Sequence, residues 1–411
     1  MRRRYVIIGN SAAGISAAET LRRLDGDGRI IMISEEPGPA YSRCLLPALL
    51  AGEKSAAELY IRPGDFYRKN RIITLFGRKA VGVDFRQKQV ILEDGVGIGY
   101  DRLLIATGSS TAFPPVPGLE GRGLFGLRNL SDARQILARC GQALRVTILG
   151  AGLVGLEAAS ALARRGLEVA VVEKAPHILP QQFDPAAAGI LARLLEAAGV
   201  RIIPGAGVRE AAAPSSPGRC WKLVLDNGTT LEAELVIAAT GIRPNVELAR
   251  EGGVKTNRGI LVDDCMQTSL PDVYAAGDVA ETAAGLNPTW PSATAQGAAA
   301  ASGMAGRPRP YAGPREMQNV VQFGSTPALA LGITSPPDGS YEVFTVHRPQ
   351  QNLYRKLVLK DGALAGVILV GDIAQGGILA ALMRKKTDVR KFLKLILNGR
   401  LHFGHLQGAV G

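Results

Sequence analysis

The second of two glycine turns constrains this chain most. Arg145-Val-Thr-Ile-Leu149 reads as a short buried strand. Gly150-Ala-Gly152-Leu153-Val154-Gly155 follows at once and opens an apolar helix to about Arg165, before a strand at Glu168 to Val172 that ends in Glu173. Glycines at these three places permit a tight turn, bring backbone close to a pyrophosphate and let helix pack on strand. The helix N-terminus offers N–H groups and a partial positive charge to that anion. Glu173 stands about 20 residues on, where a carboxylate accepts hydrogen bonds from ribose hydroxyls and repels a 2′-phosphate. This favours NADH over NADPH, with Lys174 alongside as a counter-signal.

The pattern is duplicated at the N-terminus. Tyr5 to Ile8 reads as a strand, Gly9-Asn-Ser11-Ala12-Ala13-Gly14 opens a helix to about Arg23, and Arg29 to Ile33 is the next strand, followed by Glu35. Ser11 replaces the middle glycine. Two βαβ units imply parallel sheets. Two further strands, Tyr100 to Gly108 and Leu235 to Gly241, end in Ala-Thr-Gly, and Asp272 to Asp278 ends in Gly-Asp. A carboxylate there lies at the carboxyl edge of a sheet, where open α/β folds bind ligands.

Pro/Gly clusters at 113–118, 241–245 and 307–314 mark chain crossings. Beyond them, Asn352 to Lys360 and Ala363 to Val370 read as strands joined by an Asp361-Gly362 turn, and Ile378 to Leu397 as a helix. The expected fold is α/β, with two Rossmann-like dinucleotide-binding domains, the first interrupted by the second, and a C-terminal α+β domain.

Lys and Arg number 48 against 36 Asp and Glu, a formal net charge of +12. That balance steers acidic partners without naming one. No nucleic-acid recognition motif accompanies it, so no nucleic-acid partner is expected. The four cysteines, Cys44, Cys140, Cys220 and Cys265, form no C-x-x-C pair, so no metal or iron–sulfur site is expected within the chain. His177, His347, His402 and His405 form no spaced pair. No apolar run is long enough to span a membrane, and Tyr5 to Ile8 is too short for a secretory core, so a cytoplasmic setting is expected.

Both fingerprints, both Ala-Thr-Gly strands and Gly277-Asp278 occur in the order of the pyridine nucleotide–disulfide oxidoreductase superfamily, which residues 1 to about 305 resemble. The segment Pro39-Ala-Tyr-Ser-Arg-Cys-Leu-Leu-Pro47 resembles the NADH:rubredoxin reductase, NADH oxidase and coenzyme A-disulfide reductase branch. The tail, notably Gly366 to Asp372, is similar to reductase subunits of anaerobic 2-oxoacid and aldehyde oxidoreductases.

The resemblance implies an FAD-binding domain in two parts (1–112 and 243–312), an NAD(H)-binding domain (113–242) and a C-terminal interface or dimerisation domain (313–411). It implies FAD contacts at Gly9, Ser11, Ala12, Ala13, Gly14, Glu35, Arg43, Cys44, Ala80, Thr107, Gly108 and Asp278. It implies NAD contacts at Gly150, Gly152, Leu153, Val154, Gly155, Glu173 and Gly241. The implied activity is an FAD-dependent NADH:acceptor oxidoreductase, trading electrons with a rubredoxin- or ferredoxin-type protein or an iron–sulfur subunit, as a homodimer or within a hetero-oligomer. Ala12 stands where peroxide-reducing members carry a histidine. Cys44 is the candidate redox residue: beside Arg43 at a helix start, a thiol acquires thiolate character. This leaves a Cys44-dependent disulfide or coenzyme A-persulfide reductase as an alternative, and a non-enzymatic flavoprotein subunit as another. The basic stretch from Arg384 to Arg400, which holds one acid, Asp388, suits either an acidic partner or a solvated helix face.

Overall fold

A parallel five-stranded sheet forms around each glycine turn. The computed structural model describes residues 2–121, 123–141, 143–214, 220–313 and 318–406. Pro314, the end of the third expected crossing, and residues 407–411 of the expected C-terminal domain lie outside the described residues.

Contacts divide the chain into two compact units. The first comprises Met1–Leu49, Lys54–Ala112 and Gly241–Arg315. Its sheet runs Val273–Ala275, Arg102–Ile105, β1 (Arg4–Ile8), β2 (Arg29–Ser34), Ile72–Phe76. Every pairing is parallel. The central strand is fully buried at Tyr5, Val6 and Ile7, which is why it reads as a continuous apolar run rather than an alternating one. Helix α1 (Ala12–Leu24) packs on the late helix Trp290–Met304, so closely that a Cβ on Gly297 would collide with the Ala13 carbonyl. Ser16 Oγ donates to the Thr294 carbonyl across the same crossing. The segment from 273 to 304 thus returns to the first turn. The chain leaves this unit after Ser109–Thr111 and re-enters through Ile242–Pro244, and these two strands pair antiparallel. Asn245 fastens the crossing: its amide donates to the Thr107 carbonyl, its Oδ1 accepts from Ser110 Oγ, and its own carbonyl accepts from Thr107 Oγ1.

The second unit comprises Leu50–Glu53, Phe113–Thr240 and Glu316–Gly411. Around β3 (Arg145–Leu149), α2 (Leu153–Ala163), β4 (Glu168–Glu173) and α3 (Pro185–Ala197), the sheet order is Val200–Pro204, β4, β3, Leu235–Ala238, Leu124–Gly126. All these pairings are parallel as well. A three-stranded antiparallel sheet, Val208–Ala212, Trp221–Leu225 and Thr230–Ala233, shares its core with β3 and β4 through Trp221, Leu223, Leu149 and Val172. After residue 318 comes a five-stranded antiparallel sheet with β5 (Leu353–Lys360) and β6 (Ala363–Val370) at its centre. Asp361 and Gly362 join them with φ of 52° and 81°, the paired left-handed values of a type I′ turn.

The expected helix from Ile378 to Leu397 is not continuous. Helix α4 (Gly376–Arg384) stops in a Schellman closure: Lys386 N–H donates to Met383 O, Thr387 N–H donates to Leu382 O, and Lys386 has φ of 50°. The freed backbone is drawn to the hairpin turn, where Val389 N–H donates to Gly362 O, before a short helix resumes at Leu393–Leu397. The apolar periodicity continued through this break because Val389, Phe392 and Ile396 are all buried in one core with Leu379 and Leu382.

Asp184 ties α3 to the antiparallel sheet. It caps the helix through Ala187 N–H and accepts from Tyr354 Oη at 2.7 Å and Lys356 Nζ at 2.9 Å. Burial alone would raise its pKa, but these three donors hold it below the usual value. Both ionic side chains are little exposed, 12% for Lys356 and 13% for Asp184. Asp184→Ala strands a buried cation, so a loss of about 3 kcal/mol is expected at pH 7 in a denaturation experiment. The deficit shrinks as the pH falls through the depressed pKa of Asp184, because the parent then loses the same pairing.

Candidate functional site

Each glycine turn is built on backbone contact that excludes a side chain. A Cβ on Gly14 would collide with the Gly9 carbonyl, and one on Gly155 with the Gly150 carbonyl. Gly9 and Gly150 have φ of 123° and 103°. Their N–H groups donate to Ile33 O and Val172 O, at the ends of β2 and β4. The middle place differs. A Cβ on Gly152 would meet nothing within 4 Å, so the space above that backbone is open. Ser11 fills the matching place as the N-cap of α1 and, like Gly152 before α2, makes no side-chain capping hydrogen bond. Both helices therefore open on backbone donors that no cap side chain occupies, as an anion site requires.

Ala12 and Ala13 are buried, with Ala13 pressed against Gly277 and Gly297, so only their backbone is available to a ligand. Asp278 Oδ2 accepts from Ser109 Oγ, just past Thr107 and Gly108. The preceding Gly277 N–H is held by Gln296 Oε1, on a side chain 1% exposed. Gln296 carries no motif and was invisible in the sequence. The first turn, Thr107–Gly108 and Asp278 all follow strands of one parallel sheet at its carboxyl edge.

Strand register separates the two acids. Ile33 and Val172 play the same part towards the two turns, so Ser34 is the counterpart of Glu173 and Glu35 lies one place beyond. Glu35 is exposed and faces Lys79 Nζ at 3.3 Å. Glu36, which sequence reading passed over, is tied to the next loop: it accepts from Tyr41 Oη and from Arg43 Nη2, each at 2.5 Å. That loop is further held to the first turn by a closed polar ring. Asn10 Nδ2 donates to Gly38 O, Tyr67 Oη donates to Asn10 Oδ1, and Ala40 N–H donates to Tyr67 Oη. Cys44 sits exposed in the single 3₁₀ turn Arg43–Leu45 before the helix Leu46–Ala51. Ala80 is half-buried at the start of the strand Ala80–Asp84.

In the second turn, Glu173 is pinned before any ligand arrives. Its Oε2 accepts from Ala151 N–H at 2.7 Å and its Oε1 from Ala175 N–H at 2.8 Å. Each oxygen keeps a lone pair for a ribose hydroxyl. Leu153 is partly exposed and Val154 exposed at the start of α2, and Gly241 is exposed with φ of 121°. Glu157, one turn into α2, was also missed. Burial pushes its carboxyl up to about 7. Its signal was an acid in a helix otherwise composed of Leu, Val, Ala, Gly and Ser.

Two open glycine cradles, one with a carboxylate pinned at its strand end and one with a carboxylate returning on a Gly-Asp turn, fit two dinucleotides. They define the class: a flavin- and nicotinamide-dependent oxidoreductase. The chain belongs to the pyridine nucleotide-disulphide oxidoreductase family, whose model matches residues 3–297. Residues 328–387 match the rubredoxin NAD+ reductase C-terminal domain. It is 34% identical over 398 residues to the NADH-dependent phenylglyoxylate dehydrogenase subunit epsilon of Aromatoleum evansii, covering 94% of this chain and 92% of that one. It is 32% identical to the assimilatory nitrate reductase electron transfer subunit of Bacillus subtilis over 96% of this chain, but spans only 51% of that protein. Among solved structures, the ferredoxin reductase for the CYP199A2 system from Rhodopseudomonas palustris superposes with a TM-score of 0.82 at 28% identity, covering 92% and 93% of the two chains. Among the described residues, no helix is long and apolar enough to cross a membrane, and no cluster of three potential metal ligands occurs.

Glu157→Gln tests this half-buried carboxyl. A pKa raised on folding makes stability fall as pH climbs from about 4.5 through about 7. In the absence of nicotinamide nucleotide, the variant is expected to match the parent near pH 4 and to exceed it by up to about 3 kcal/mol at pH 8. A difference that stays constant across this range would contradict the assignment.

Proposed function

We propose that the chain is a cytoplasmic FAD-dependent NADH:acceptor oxidoreductase that exchanges electrons with an acidic iron–sulfur or rubredoxin-type protein. When bound, the nicotinamide and the flavin supply the hydride and two-electron chemistry, and the protein positions them. Residues 1–112 and 243–312 hold FAD, residues 113–242 hold NADH, and 313–411 carry the partner surface.

The observation that carries the reading is the pair of backbone cradles with unlike acids. Gly9 to Gly14, Thr107, Gly108 and Asp278 share one sheet edge and suit the long flavin dinucleotide. Gly150 to Gly155 end beside Glu173, whose fixed carboxylate accepts two ribose hydroxyls and repels a 2′-phosphate.

Electron exit through the flavin rather than through Cys44 is favoured by Arg43. Its guanidinium lies 2.5 Å from Glu36 Oε1, so this arginine is tied into the polar contacts that fix the loop. Arg384, Lys385, Lys386, Lys391, Lys394 and Arg400 are all exposed around the break after α4, while Arg390 is engaged by Glu342 and Asp388. Such a cluster steers an acidic partner.

Two variants separate these roles. Cys44→Ser is expected to retain NADH-dependent ferricyanide reduction within about twofold, whereas a thiol mechanism predicts its loss. Reversing Lys385 and Lys386 to Glu is expected to lower the rate with a rubredoxin as acceptor about tenfold or more at low salt, with ferricyanide reduction unaffected. Equal losses with both acceptors would overturn the docking assignment.

A further inference from the structure

We infer that Gly207 is a specificity-determining residue for the nicotinamide nucleotide: it opens a groove that carries the Lys174 side chain away from the ribose edge. The inference rests on the reading of Gly150–Gly155 and Glu173 as the NADH site.

Lys174 follows Glu173 directly, so its ammonium group is the nearest side-chain cation in sequence to the place a 2′-phosphate would occupy. A cation there attracts that phosphate and would undo the discrimination that Glu173 supplies. The lysine stem instead lies along Gly207. A Cβ built on Gly207 would come 2.6 Å from Lys174 Cε and 3.1 Å from its Cγ.

Asp226 stands over the same glycine. The same Cβ position is 3.3 Å from Asp226 Oδ2, and that oxygen accepts from Gly207 N–H at 3.0 Å. Asp226 N–H donates back to Gly207 O at 2.9 Å, so glycine and acid are locked together by two hydrogen bonds. The groove floor is also fixed to the ribose acid, because Ala206 N–H donates to Glu173 O.

Gly207 has no left-handed φ, so its backbone does not require glycine. What requires it is the lysine. If a methyl group is added, the flexible lysine end can move, whereas the hydrogen-bonded backbone around it stays in place. The displaced ammonium then returns to the exposed edge beside Glu173.

The test is the ratio of kcat/KM for NADPH to that for NADH, measured with ferricyanide at low ionic strength in four proteins: parent, Gly207→Ala, Lys174→Ala and the double variant. Gly207→Ala is expected to raise the ratio about two- to fivefold, the range of one exposed charge pair, with the increase shrinking in high salt. Lys174→Ala alone is expected to leave the ratio where it is, and the double variant to return it to the parent value. A drop in the ratio on Lys174→Ala alone would show that the lysine already serves the ribose edge. An unmoved ratio in Gly207→Ala with a parental melting temperature would equally overturn the inference. Should Gly207→Ala fold poorly, Lys174→Ala decides by itself. These failures leave NADH turnover intact, whereas a parent whose flavin neither nucleotide reduces removes the underlying site reading as well.

Discussion

The architecture depends on one kind of contact, made twice: a glycine carbonyl standing where the third glycine of the turn would otherwise place a Cβ. Gly9 O against Gly14 and Gly150 O against Gly155 bring each helix start down onto its strand end. Any larger side chain would lift the helix and move its N-terminal donors away from a pyrophosphate. The apolar β1 and β3, the Ala-rich α1 and α2 and the parallel strand order all serve to hold that contact in a dry sheet.

From that contact the two sites diverge. In the second unit the acid at the strand end is pinned by the turn itself, through Ala151 N–H, so turn and carboxylate are held together. In the first unit Ser34 takes that register, and polar contacts extend instead into the following loop through Asn10, Tyr67, Glu36 and Arg43. Its carboxylate at the sheet edge comes from Asp278, far along the chain, on a turn held by buried Gln296. A longer cofactor suits the more dispersed site. The break after α4 has a related logic, since the backbone that leaves the helix pairs with the β5–β6 turn and turns its lysines and arginines outward.

Much of this was legible in the sequence, because glycine spacing and buried strands follow from backbone sterics that act locally. Both βαβ units, the Asp361-Gly362 hairpin and Gly277-Asp278 were read from neighbouring residues alone. The unread parts depend on distant partners. Gln296 and Asp184 look like ordinary helix and loop polar residues until Gly277, Tyr354 and Lys356 are brought to them. The end of α4 was hidden because the hydrophobic period survives the break, while the left-handed Lys386 that makes it has no glycine to announce it. Lys174 was visible as a counter-signal to Glu173, but its course over Gly207 is a tertiary fact.

The proposed function requires one cradle to take FAD and the other NADH. Its most direct test is anaerobic titration of the purified, flavin-loaded protein with NADH, followed by visible absorbance. About one equivalent of NADH is expected to bleach the flavin band, with NADPH needing a large excess. Contradiction would come from a protein that neither carries nor takes up flavin, or from a bound flavin that NADH leaves oxidised.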